Sequence, residues 1–564
     1  MLKKATRIIL TMTIGIFLCM LDTTVMNIAL PAIQTGLNTD LSHLSWALNI
    51  YTILFASLTI PLGRLADVWG RGRLYLLGLT LFLLGSLASG LSTTVTLLIV
   101  GRGIQSIGAA IVFPASMTIG IQSVSLAKRT GAIALLGVTQ GLAAALGPTI
   151  GGAVTQFWGW RGIFLINVPL TLLALGLSIW LLDWRSHVRE SVKLDIAGSG
   201  LIMLTLLSLT LLLVKGSDWG WMSQSIIILA VVSVISLGMF IWTEAHVAQP
   251  MVSLALFKDR QFNGAALATV LSGIFLVGLM VLMPSFFTKV QNYSELMAAI
   301  MITPASVMIF MLSPISGLLL AKLGPRLVIL VGSIAMVAGY AVISVMNASH
   351  YWQFAVAAVL IGAGYGIIIG PITVLAAGGF TGELLTASQS VIGVFRQIGT
   401  SLAVAIFVSA LATNLTTAKS RVQTYATQTI SALSVSKQVK TDALTTVHRQ
   451  LAAEQSSTKT TAPITPAKTK RLITTNYEKV LKQQHLQQAP ADVKTQVHQK
   501  VAQQVTKQVA TMNQQLITAI TGIKAKTKTE LTAAFIKPYQ VALPFTLLMI
   551  LVSLCFERRQ RAHN

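Results

Sequence analysis

At 564 residues, 54% of them hydrophobic and only 10% charged, the chain is far from the composition of a soluble domain, in which about a quarter of residues are charged. It reads as a polytopic membrane protein, so its net charge of +24 is weighed against membrane topology and not against nucleic acid. The two cysteines, Cys19 and Cys555, lie in apolar runs and form no spaced set, which excludes a disulfide framework and a metal site as first readings.

The N-terminal stretch MLKKATRIILTMTIGIF is built like a signal peptide, but no small-residue cleavage site follows and the apolar run continues to Pro31. It is expected to be an uncleaved first span. Asp22 sits near the middle of that run. A carboxylate at such depth is costly unless it is protonated, paired or facing water, which makes it a functional residue by default. A span needs roughly 20 mostly apolar residues. Fourteen stretches meet that need: about 7–31, 46–66, 74–92, 96–120, 131–155, 161–183, 195–214, 224–243, 262–288, 296–321, 327–347, 352–379, 387–412 and 538–556.

An even count puts both termini on one side, and short-loop lysines and arginines choose it. Lys3, Lys4, Arg7, Arg64, Arg71, Arg73, Lys128, Arg129, Arg185, Arg189, Lys193, Lys258, Arg260, Lys322, Arg326, Arg558, Arg559 and Arg561 fall on one face. The opposite short loops offer only Arg161, Lys215 and Lys289. A cell-membrane protein with both termini cytoplasmic is expected. The domain plan is a first six-helix bundle (1–190), two inserted spans (191–250), spans nine to thirteen (251–412), a polar segment (413–537), and the last span with its tail (538–564).

Residues 413–537 carry 18 Lys/Arg against 5 Asp/Glu. Topology would place them outside, which the positive-inside rule tolerates for a long segment. Apolar residues recur at helical spacing, as in Val493, Val497, Val501, Val505 and Val509. Helices are expected over about 415–455 and 475–535, with a break at Pro490 and a hinge at Pro463 and Pro466. An extracellular basic hairpin extending spans thirteen and fourteen is one reading, and a disordered basic loop is the other.

GRLADVWGRGR at 63–73 joins spans two and three. Gly63 and Gly70 permit close packing and a tight turn, and Asp67, Arg71 and Arg73 set opposite charges together at a membrane edge. As physics alone this is either an anchored turn with ion pairs that differ between two conformations, or a basic loop that sets topology. LIVGRGIQSIGAAIVFPAS at 98–116 puts Arg102 and Gln105 on one helix face. GVTQGLAAALGPTIGG at 137–152 spaces Gly137 and Gly141, then Gly147 and Gly151, four apart, with Gly152 adjacent, a pattern for tight helix contact. Pro148 removes a backbone hydrogen bond there and can bend the span.

Together with LDTTVMNIALP at 21–31 and WRGIFLINVPL at 160–170, these strings resemble the motifs of the major facilitator superfamily, and specifically its 14-span drug:H+ antiporters. Arginine is usual at Val68 and Gly72 in the first motif, and glycine at Ser106 in the second. GLLLAKLGPR at 317–326 is a worn second copy of the first motif without its acid, as an internal repeat would leave. The resemblance implies an all-α major facilitator fold, two six-helix bundles around a cavity plus two extra spans. It implies export of amphipathic or cationic drugs in exchange for protons, with no cofactor and no enzymatic step.

Asp22 is the only carboxylate well inside a span. It is expected to take a proton from outside as substrate leaves, with Arg102 and Gln105 coupling that event to bundle rocking. Arg396 is either a second buried base near it or a cap on backbone carbonyls. Asn27 is a polar lining residue, and Asp67 with Arg71 would latch one conformation. No P-loop string occurs, so direct ATP drive is not expected. His43, His187, His246 and His350 read as solvated loop residues. Two other functions stay open: export of a native lipid or hydrophobic metabolite helped by the outer segment, and a membrane-anchored cationic module for anionic cell-surface polymer or lipid headgroups.

Overall fold

A computed structural model describes residues 4–39, 41–182, 195–247, 250–378, 380–433, 435, 439–441, 443–445 and 464–557. The expectations on Lys3, Arg185, His187, Arg189, Lys193, Pro463, Arg558, Arg559 and Arg561 lie outside these residues, as does the stretch 446–463. Regular structure among the described residues is helical throughout. This follows from the solvent: in hydrocarbon every backbone polar group must be satisfied within its own segment.

The first bundle is built from α1 (Lys4–Gly36), α2 (Leu41–Trp69), α3 (Arg71–Gly90), α4 (Val95–Gln122), α5 (Leu126–Trp158), the short α6 (Gly162–Leu165) and α7 (Asn167–Leu181). The inserted pair is α8 (Ile196–Trp219) and α9 (Gln224–His246). Then come α10 (Arg260–Lys289), α11 (Glu295–Leu323), α12 (Pro325–Val345), α13 (Tyr351–Ala377), α14 (Gly382–Ser431), α15 (Pro466–Gln483) and α16 (Ala491–Val552). Side-chain oxygens close several helix starts where backbone N–H groups have no intrahelical partner. Thr94 caps α4, Asp195 caps α8, Ser223 caps α9 and Ser294 caps α11.

Among the described residues, thirteen helices are long and apolar enough to cross a membrane. The count becomes fourteen, as expected, when Gly131–Ala143 and Leu146–Trp158, bent by 45°, form one span. The bend lies where the Pro148 ring meets the carbonyl four residues earlier. The sixth span is α6 and α7 in succession, with Ile166 between them. Some residues expected in loops sit in helices: His43 lies in α2 and His246 ends α9, both exposed. Lys215 is not in a loop but inside α8, 2% exposed.

Helix α8 packs on both α9 and α2, so the inserted pair rests against the first bundle. Helix α5 packs on α11 and α13 and joins the two bundles. The turn after α2 is made by Gly70 at φ 96°, and the turn after α11 by Gly324 at φ 80°. Both positions need a residue without Cβ, and the second is the structural counterpart of the first in the worn repeat.

Two compact units separate: Met1–Thr288, Tyr293–Ala410 and Ile536–Asn564 form one, and Lys289–Asn292 with Leu411–Phe535 the other. In the second unit the pairing differs from a plain hairpin. Residues 421–430 run antiparallel to 522–530, joined by Val422, Ala426, Ile430 and Ile523 and by an Arg421–Glu530 pair at 3.4 Å. Farther along, α15 lies antiparallel to 497–513 through Ile473, Tyr477, Val480, Val501, Val505 and Val509. Thr465 caps α15, whose start precedes the expected 475, and the chain turns back at His485 and Pro490.

Candidate functional site

The polar centre of the first bundle is a closed cluster around Asp22. Helix α1 supplies the acid, α4 supplies Arg102 and Gln105 one turn apart, α3 supplies Ser86 and α7 supplies Asn167. Arg102 Nη1 donates to Asp22 Oδ2 and also to Gln105 Oε1 at 2.9 Å. Gln105 Nε2 donates to Asp22 Oδ1 at 2.9 Å and to Ser86 Oγ at 2.6 Å. Asn167 Nδ2 reaches the same Asp22 oxygen at 3.2 Å. Arg102 Nε donates to the Ala47 carbonyl at 3.3 Å, and its guanidinium stacks 4.3 Å from the Tyr51 ring centre. Asp22 is 0% and Arg102 1% exposed. A buried ion pair is tolerable only when its remaining lone pairs and protons are met, and here two side chains, Gln105 and Asn167, and one backbone carbonyl meet them.

Beside the cluster lies a cavity of about 300 Å³. Arg102, Tyr51 and Asn27 line it, while Asp22 sits behind Arg102 and does not. The second bundle contributes Tyr365, Arg396 and Gln397 among others. Arg396 donates through Nη1 to Gln140 Oε1 of α5, a side-chain amide and not a backbone carbonyl. Of the two buried bases considered for Asp22, therefore, Arg102 is the partner. The cavity occupies the half of the bundle away from the face where α1 begins: its walls include Leu30, Ser45 and Val281, each toward the far end of its helix.

At the near face the bundles close on each other. A Cβ on Gly63 would lie 2.5 Å from Ser390 Oγ, and one on Gly137 2.8 Å from Thr373 Oγ1. Asp67 accepts from Arg71 Nε at 2.7 Å and from Thr386 Oγ1 of α14 at 3.4 Å. Arg71 also donates to Gln122 of α4, whereas Arg73 is exposed. The glycine seam of α5 faces both sides. Gly147 and Gly151 abut Thr24 and Val25 of α1, Gly152 abuts Ala299 of α11, and Gly141 touches Ile309 and Ile369. Pro148, between them, lines the cavity.

Asn167, Gln140 and Ser86 of the buried networks, and Gln122 and Thr386 at the near face, were not singled out from the sequence. Asn167 and Gln140 stand inside strings already noted, and an amide in an apolar run is the signal that could have found them. Ser86 carries no such signal, because serines recur throughout the spans.

Two helical bundles that meet along one membrane helix, close at one face and hold a cavity beside a buried ion pair make a membrane transporter. The chain belongs to the Major Facilitator Superfamily, whose sequence profile matches residues 12–404. It is 30% identical over 401 residues to "Multidrug resistance protein Stp" of Mycobacterium tuberculosis (strain CDC 1551 / Oshkosh), covering 71% of this chain and 74% of that one. It is 34% identical over 322 residues to "Probable multidrug resistance protein EmrY" of Escherichia coli (strain K12), covering 57% and 63%. The crystal structure of the human organic anion transporter MFSD10 superposes with a TM-score of 0.52 at 13% identity, over 73% of this chain and 94% of that one, which speaks to fold alone.

Proposed function

We propose that this transporter exports amphipathic and cationic small molecules across the cell membrane in exchange for protons, with both termini cytoplasmic. The observation that carries the reading is the Asp22–Arg102–Gln105 cluster, sealed on one side and touching the cavity only through Arg102. The names of the relatives support the substrate class, and the one-sided distribution of basic residues supports the orientation. On that orientation the near face is cytoplasmic, the conformation is outward-facing, and residues 411–535 are extracellular.

The mechanism is electrostatic. With Asp22 ionised, Arg102 is neutralised and the cavity wall tolerates a cation. When Asp22 takes a proton, Arg102 loses its counter-charge while still lining the cavity. At a separation of about 8 Å and an effective dielectric near 20, one uncompensated charge repels a bound monovalent cation by about 2 kcal/mol. That corresponds to roughly thirtyfold weaker binding, enough to expel the substrate outward. Gln105 and Asn167 hold the carboxylate in place through both states. The Thr386–Asp67 contact crosses between the bundles and forms only while the cytoplasmic face is shut, so Asp67, held by Arg71, acts with Thr386 as the latch of the outward-facing form.

The test is uptake of tetraphenylphosphonium into proteoliposomes under an imposed pH gradient. The reading predicts accumulation that collapses with the gradient and acidification or alkalinisation of the lumen opposite to the cation's movement. Uptake no greater than in protein-free vesicles, or uptake indifferent to the gradient, contradicts it.

A further inference from the structure

Asp22 is sealed behind Arg102, and the charged cavity residues Arg102 and Arg396 are both basic. One carboxylate does line the cavity among the described residues, and it comes from the inserted helix pair: Asp218, near the end of α8. Its side chain is 49% exposed. Oδ2 accepts from Lys215 Nζ at 2.8 Å. Lys215 is itself buried, donates to Ser45 Oγ of α2 at 3.0 Å, and lies 4.7 Å from the Trp46 ring centre. Ser45 lines the same cavity, together with Val214 and Ser217 of α8.

The arrangement is a clamp. A buried ammonium needs a counter-ion, and the one that the structure provides is half open to the cavity. Lys215 fixes the carboxylate in orientation and ties α8 to α2 through Ser45. One carboxylate oxygen is committed to that task, and the group lines a space whose other charged lining residues are Arg396 and the Asp22-paired Arg102, so Asp218 is the carboxylate there that offers a cation an attractive charge.

We propose that Asp218 is a substrate-selecting residue of this transporter. It receives the cationic centre of an amphipathic organic cation at the cavity, so the inserted helix pair is part of the transport path and not only a spacer between bundles. The proposal rests on the export of cations argued above. Lys215 is a positioning residue that acts through Asp218 and does not itself touch substrate.

The experiment measures tetraphenylphosphonium transport in proteoliposomes for the wild type, Asp218→Asn, Asp218→Glu and the double variant Lys215→Met/Asp218→Asn. Asp218→Asn is expected to raise KM about tenfold, the loss of one favourable charge contact, with the maximal rate within about twofold. Asp218→Glu restores the low KM. The double variant keeps the high KM without an orphaned lysine, which separates lost selection from misfolding. Competition by tetraphenylborate, similar in size and opposite in charge, is not weakened by Asp218→Asn. An unchanged KM in Asp218→Asn, or a loss of maximal rate that the double variant recovers, overturns the proposal while leaving export intact. A wild type that transports no tetraphenylphosphonium overturns both.

Discussion

Arg102 makes three hydrogen bonds, to Asp22, Gln105 and the Ala47 carbonyl, and carries the cluster's positive charge, so its removal is expensive. Arg102→Ala leaves Asp22 ionised and unpaired, a change expected to destabilise the protein by about 3–5 kcal/mol. Arg102→Lys does not repair it, because a single ammonium lacks the planar fork that reaches Asp22, Gln105 and the Ala47 carbonyl together. Thermal unfolding in detergent checks both, with lowered transition temperatures expected and an unchanged Arg102→Lys contradicting the account. At this scale the sequence is informative where chemistry is rare. An acid, an arginine and a glutamine in apolar runs announce themselves. The partnership of Arg396 does not, since burial of a cation says only that some partner exists. That Asp22 is hidden from the cavity is likewise a matter of side-chain direction, which no spacing rule conveys.

Helix α5 is packed tightly against α1 on one side and α11 and α13 on the other. Its seam brings backbone against backbone, and a Cβ on Gly151 would lie 2.6 Å from the Val25 carbonyl oxygen. Gly151→Val should separate α1 from α5, cost about 1–3 kcal/mol by overpacking and abolish transport. Near-wild-type transport by this variant would mean that the seam is not a tight contact. The spans themselves were legible, because apolar length in a bilayer leaves only a helix. The fold-back of the polar segment was legible only in its break at Pro490: heptad-like valines specify an apolar stripe but not which stripe covers it. That unit also holds a pH-sensitive pair. The hydrogen bond from Lys526, with Arg421 adding to it, holds Glu530 below the usual carboxylate range. A lowered carboxylate pKa stabilises the folded form above the ordinary value near 4.3 and ceases to do so as pH falls through the folded one. Spin labels at positions 424 and 525 should therefore separate between about pH 6 and pH 3 in the wild type. In Glu530→Gln the separation should be independent of pH, and an identical pH response in both would rule out this pair as its cause.

Over the whole molecule, the cavity and its charged residues belong to the first compact unit, whereas residues 411–535 carry cores of their own. Replacing 413–535 by a short Gly/Ser linker is expected to leave tetraphenylphosphonium transport within a few-fold of the wild type. Loss of all transport in a well-folded deletion would instead make that unit part of the path. In the proposed mechanism the two ends of the transport cycle are joined by Asp22, a buried acid whose link to the cavity is Arg102. The most direct measurement of that claim is transport by Asp22→Asn in proteoliposomes, read in two modes. Uphill accumulation of tetraphenylphosphonium driven by a pH gradient should fall at least tenfold, because no proton can be exchanged at this site, while exchange of labelled for unlabelled substrate without a gradient should persist once substrate is raised about thirtyfold, since Asp22→Asn leaves Arg102 uncompensated as protonation does. Gradient-driven accumulation at the wild-type level in Asp22→Asn would show that the proton is carried elsewhere.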